Sequence, residues 1–188
     1  MTTPAATYTE TVPDSVRRRV GSTLLGLPLL CSAALSQAAD AAPSTSRPGL
    51  PPLDGELVVA DVPLLDGATF HAADASGKVL VLYWWASWCP FCAIQTPMMQ
   101  ALWDAQRKRG LLMLGISIDE RPDDARRYLS KRGYTFPSTF QSPIVRRLLP
   151  LPGKGLPVTV VRGRNRRVVM AEAGQVFAED IARIDRFL

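Results

Sequence analysis

Residues 78–97 read Lys-Val-Leu-Val-Leu-Tyr-Trp-Trp-Ala-Ser-Trp-Cys-Pro-Phe-Cys-Ala-Ile-Gln-Thr-Pro. The apolar, β-prone run from Val79 to Trp85 stops just short of Cys89-Pro90-Phe91-Cys92, and a helix-compatible pattern follows at once. This order predicts a buried strand leading into the first turn of a helix, with two thiols on that turn. The partial positive charge at a helix start favours a thiolate on the first cysteine, and the thiolate is the nucleophile in disulfide exchange. Cys89 and Cys92 are therefore read as a redox pair. A zinc site takes about four ligands, and beyond residue 38 the chain offers only these two thiols and one histidine, His71.

The 188 residues, 47% hydrophobic and 21% charged, fit one domain with a real core plus an extension. The formal net charge of +5 owes part of its excess to Arg17, Arg18 and Arg19, so it does not point to nucleic acid. That arginine cluster, the apolar stretch Val20 to Leu35 and the small residues around Ser36-Gln37-Ala38 have the order of a secretory signal. Cleavage is expected after Ala38, by a Sec or a twin-arginine-like route. Lipidation at Cys31 is disfavoured by Leu30, and an uncleaved anchor by an apolar run shorter than the about 20 residues a span needs. The expected division is a signal peptide at 1–38, a flexible linker with no buried face at 39–55, and a folded domain at 56–188. The domain would then be periplasmic, with Cys89 and Cys92 as its only cysteines.

Outward from the central strand, Leu57 to Val62 and Thr69-Phe70 read as short strands around Asp66-Gly67. The helix after Cys89 is expected to reach about Arg109. Pro90 suits its first turn, and Ile94, Met98, Ala101, Leu102 and Ala105 would face the sheet. Leu111 to Ile118 predicts a strand buried on both faces, and Pro122 to Gly133 a helix with its ends charged in the favourable sense. Shorter elements follow at Tyr134–Phe140 and Pro143–Leu149. Val158–Val161 and Val168–Ala171 predict a hairpin, and Glu179–Leu188 a last helix. The class is α/β: a mixed central sheet flanked by helices on both faces, with an N-terminal β-hairpin extension.

Trp88-Cys89-Pro90-Phe91-Cys92 between a buried strand and a helix resembles the thioredoxin superfamily. Trp85-Ala86-Ser87-Trp88-Cys89, with Pro97 five residues after Cys92, looks most like its exported TlpA/ResA-type branch. Gly155-Leu156-Pro157-Val158-Thr159 resembles the loop carrying that family's cis-proline. The spacing from Cys92 to Pro157 leaves room for the extra strand and helix of this branch, and none for the helical insertion of DsbA-like oxidases. The resemblance implies a thioredoxin-like fold in which Cys89 attacks a substrate disulfide and Cys92 resolves the mixed disulfide. It also implies substrate contacts at Trp88, Pro90, Phe91, Leu156 and Pro157, with no cofactor and no metal. The implied partners are exported thiol or disulfide proteins and a membrane electron donor of a periplasmic reducing pathway.

Some residues depart from the family's pattern. Tyr83 stands where thioredoxin has a buried acid, and Gln95 where many relatives have a glutamate, so neither supplies a carboxylate base for Cys92. Val158 follows the expected cis-proline where cytochrome c maturation proteins usually have an acid. Other residues have plainer readings: Tyr83, Trp84 and Trp85 as core, Met98 and Met99 as helix packing, and His71 as a solvated loop residue. Arg162, Arg164, Arg166 and Arg167 read as solvated charge on a hairpin turn. The leading expectation is a periplasmic disulfide reductase; an oxidase or isomerase is the first alternative. A copper(I)-handling thiol chaperone comes next, disfavoured because no histidine lies near the Pro157 loop. A peroxiredoxin fits least, since the tryptophan and paired cysteines are not its peroxidatic motif.

Overall fold

The computed structural model describes residues 48–188. The expected signal segment and cleavage point, Cys31 and the expected linker as far as residue 47 lie outside the described residues. Among the described residues, strands β1 (Val62–Pro63) and β2 (Thr69–Phe70) form a small antiparallel hairpin. The chain continues through β3 (Val79–Trp85), α1 (Pro90–Gln106), β4 (Leu111–Ser117), α2 (Pro122–Arg132), β5 (Ser138–Phe140) and α3 (Pro143–Leu148). It ends with β6 (Val158–Arg162), β7 (Val168–Ala173) and α4 (Ala178–Ile184). The main sheet has the order β5-β4-β3-β6-β7. β3 runs parallel to β4 and antiparallel to β6, so the sheet is mixed, as expected.

All seven residues of β3 are buried. Alternation along the strand divides them between two apolar layers. Val79, Val81, Tyr83 and Trp85 join Cys92, Met99 and Leu102 of α1, Ala125 of α2, and Ile181 and Ile184 of α4. Leu80, Leu82 and Trp84 face the other way, toward Val145 of α3, Val62, Phe70 and Leu50. A strand sandwiched in this way has no polar face to spare, which explains its unbroken apolar run.

α1 begins with Pro90 in its first turn and passes into a short 3-10 turn at Arg107–Arg109. Gly110 then reverses the chain at φ 99°, a left-handed conformation that suits glycine. The buried face of α1 is Cys92, Gln95, Thr96, Met99, Leu102 and Gln106. Of the positions expected to face the sheet, Leu102 does, Met98 is half-buried, and Ile94, Ala101 and Ala105 are exposed. The expectation followed apolar residues alone; the helix instead turns Gln95, Thr96 and Gln106 inward, where polar partners and close packing receive them. Two strand expectations also shorten, to Val62–Pro63 and to Ser138–Phe140.

The segment read as a tether with no buried face is docked from residue 50 onward. Leu50 is buried in the layer beneath Trp84. Asp54 N donates to Val168 O at 2.8 Å, Val168 N donates to Gly55 O at 2.9 Å, and Glu56 bridges Arg167. This segment thereby covers the start of the edge strand β7.

Of the arginines at the β6–β7 turn, Arg164, Arg166 and Arg167 are exposed, as expected of solvated charge, and Arg162 alone is buried. Arg162 is buried and donates to Ala75 O at 2.6 Å. Arg164 donates to the carbonyls of Gly77 and Leu188. Arg166 pairs with Glu56, and Arg167 donates to Asp54 O.

Gly115 of β4 is a close-approach position. A Cβ there would lie 2.7 Å from both Phe136 Cε2 and Ser138 Oγ, and 3.0 Å from Trp85 Nε1. Gly115→Ala should therefore destabilise the domain by about 1–3 kcal/mol. The check is a lower denaturant midpoint at unchanged slope; an unchanged midpoint would contradict the packing described.

Candidate active site

The carboxyl end of β3 delivers Ala86-Ser87-Trp88 and then Cys89, which caps α1. Cys92 N donates to Cys89 Sγ at 3.2 Å, the arrangement in which a helix start receives an anion. Cys89 is 4% exposed and Cys92 fully buried behind it, both as free thiols. Both are buried, and what little access the pair keeps lies at Cys89, at the helix start. Burial, and the hydrogen bond with Cys89, push the Cys92 thiol far above its ordinary range, so it is protonated at neutral pH.

The opposite wall comes from the start of β6. Trp84 pairs with Val158, which sets Pro157 level with Trp85, at the strand end from which the cysteine loop leaves. The Leu156–Pro157 peptide is cis, and Pro157 O accepts from Gly174 N at 2.8 Å. Pro157 is buried and Leu156 half-buried beside it. Trp88, Pro90 and Phe91 are exposed, Trp88 by 63%.

The AhpC/TSA family matches residues 54–144, from the docked N-terminal segment to the start of α3. The chain is 28% identical to the thiol-disulfide oxidoreductase ResA of Geobacillus thermodenitrificans over 127 residues, 67% of this chain and 70% of that one. It is 29% identical to the thiol:disulfide interchange protein HelX of Rhodobacter capsulatus, over 63% of this chain and 65% of that one. A thiol:disulfide interchange protein of Chlorobium tepidum shares the fold, with a TM-score of 0.65 at 23% identity, over 75% of this chain and 96% of that one. The chain shares the thioredoxin-like fold of these proteins.

Within that fold, Gln95 and Tyr83 acquire definite places. Gln95 is buried; its Nε2 donates to Thr159 Oγ1 at 2.9 Å and its Oε1 accepts from Val176 N at 2.8 Å. Both ends of the amide are occupied in joining α1 to β6 and to the approach to α4, so Gln95 is structural. Tyr83 is buried with its hydroxyl 3.0 Å from Thr96 Oγ1, one helical turn beyond Cys92.

His71 is exposed, and its Nδ1 meets Asp61 at 2.9 Å in the loop following β2, as befits a solvated loop residue. Among the described residues no three His, Cys, Asp or Glu side chains gather in a metal-binding group.

Asp119 is the residue that sequence reading missed. It lies two positions beyond β4, and the parallel register Trp85 to Ser117 brings the two strand ends together. Its carboxylate accepts from Ser87 N at 3.0 Å, Ser87 Oγ at 2.7 Å and Ser117 Oγ at 2.7 Å. This buried anchor holds the loop that carries Trp88 and Cys89. The available signal was its place at the carboxyl end of a parallel strand, where open α/β sheets put their sites.

Two outcomes follow from this geometry. Asp119→Ala leaves a buried N–H and two hydroxyls without their acceptor, and should cost about 1–3 kcal/mol of stability and slow alkylation of Cys89. Wild-type values of both would remove the anchor. The raised Cys92 thiol carries its own sign: the unfolded chain ionises at about pH 8.5, the folded chain well above it. The stabilisation is therefore full below that pH and fades above it, so the reduced protein should denature more easily at pH 10 than at pH 7. A midpoint that rises over this range would contradict it.

Proposed function

We propose that this thiol–disulfide oxidoreductase works as a reductase of exported proteins in the periplasm, with Cys89 as nucleophile and Cys92 as resolving thiol. The observation that carries the assignment of roles is the contrast in placement, with Cys89 Sγ at the helix start and Cys92 shielded behind it. In the first step the Cys89 thiolate attacks a substrate disulfide, forms a mixed disulfide and expels one substrate thiolate. In the second, Cys92 attacks Cys89 Sγ. The internal disulfide forms, the bond to substrate breaks, and the second substrate thiolate leaves with the proton from Cys92. Two electrons pass to the substrate, and a membrane electron donor restores the dithiol.

Substrate would lie between the Leu156-Pro157 wall and the exposed Trp88, Pro90 and Phe91. Ile94, 55% exposed one turn beyond Phe91, extends the same apolar rim. The arginine cluster and small residues of positions 17–38 support export, and the relatives' names as oxidoreductases and interchange proteins support the exchange chemistry.

A Cys92→Ala chain expressed in the periplasm should accumulate substrate as a mixed disulfide through Cys89; recovering no adduct would count against the role. The reduction potential decides direction. A value of about −250 mV or lower fits a reductase, and one near about −120 mV would make the protein an oxidant instead.

A further inference from the structure

Cys92 must lose its proton to resolve the mixed disulfide, and it sits in a fully buried site. The groups that bear most on its sulfur are Cys89, the Ala86 backbone and the Tyr83 hydroxyl; none is a carboxylate. Tyr83, Thr96 and Cys92 are all fully buried and share one hydrogen-bond chain. Thr96 Oγ1 donates to Cys92 O at 2.6 Å. A carbonyl can only accept, so the single Thr96 proton is placed there. At the 3.0 Å contact the Tyr83 O–H must then donate to Thr96 Oγ1, leaving the phenol oxygen free to accept.

We propose that the Tyr83 hydroxyl, held on Thr96 at rest beside the Cys92 turn, swings off Thr96 and donates to the Cys92 thiolate during resolution. The rotation leaves Thr96 satisfied, because its own proton stays on the Cys92 carbonyl. No net base is required: the proton that leaves Cys92 ends on the substrate thiolate expelled in the same step. Burial pushes the Tyr83 phenol up as well, so it remains neutral and acts as a donor, not as a store of the proton. The titratable groups facing it are Cys92 and Cys89 on the α1 side and Tyr128 of α2. Phe136 closes the remaining side edge-on, with ring centroids 6.3 Å apart. The buried Tyr128 hydroxyl also lies beside Thr96.

The inference rests on the disulfide-exchange reading, and the test separates the two. The probe is dithiobis-nitrobenzoate added to the full-length reduced protein. The first thionitrobenzoate released reports attack by Cys89, and the second reports resolution of the mixed disulfide by Cys92. Tyr83→Phe should leave the first phase unchanged and slow the second about tenfold at pH 7, the worth of one modest hydrogen bond to a charged group. Its pH profile should move up by about one unit, the same factor expressed as a pKa. Thr96→Val, which removes the competing acceptor, should resolve at least as fast as wild type. A second phase unaltered in Tyr83→Phe would overturn the proposal, as would equal slowing of both phases or a Thr96→Val protein that slows alike. Absence of the first phase in the wild-type protein would instead defeat the disulfide-exchange reading.

Discussion

Trp84 and Val158 face each other across β3 and β6, and on that register the geometry of the cysteine site depends. It brings Pro157, remote from Cys92 in sequence, level with the strand end that feeds the cysteine loop. The parallel pairing of β3 with β4 does the same for Asp119, setting its carboxylate under Ser87. A slip of one residue in either pairing would turn every side chain of β3 to the opposite layer. The complete burial of both faces opposes such a slip, so the apolar energy that stabilises the sheet also holds the site in place.

The site is lined from below by polar side chains that a core admits only when paired. Gln95 spends both ends of its amide, Thr96 its one proton, and Asp119 accepts three donors. Neutral hydroxyls and amides thus occupy the space beneath Cys92 where thioredoxin carries an acid. Such an arrangement avoids burying a second negative charge beside the thiolate. It leaves control of the Cys92 proton to orientation of a hydroxyl.

Much of this was legible in the residues. β3 and β4 were plain because strands buried on both faces need unbroken apolar runs, and α1 and α2 because proline and glycine mark their ends. The cysteine pair and the Pro157 loop were visible as motifs, since both impose particular residue types on neighbouring positions. Ile94, Ala101 and Ala105 were assigned to the wrong face because hydrophobicity alone cannot say that Gln95 and Thr96 will find buried partners. Arg162, read as solvated with the rest of the turn, is the buried exception for a similar reason. Its acceptors are the backbone carbonyls of Ala75 and Leu57, groups every residue has and no sequence pattern marks.

By itself, then, the sequence determined the order of elements, the position of the two thiols at a helix start, and the kind of chemistry they can carry. These are local consequences of periodicity, capping and spacing. The tertiary structure alone decided which thiol is shielded, that Asp119 anchors the cysteine loop, and that the Tyr83 hydroxyl reaches the turn carrying Cys92. It also decided that the segment from residue 50 onward docks against the domain. Each of these is a contact between residues distant along the chain, and such contacts exist only once strand register and helix packing have brought them together.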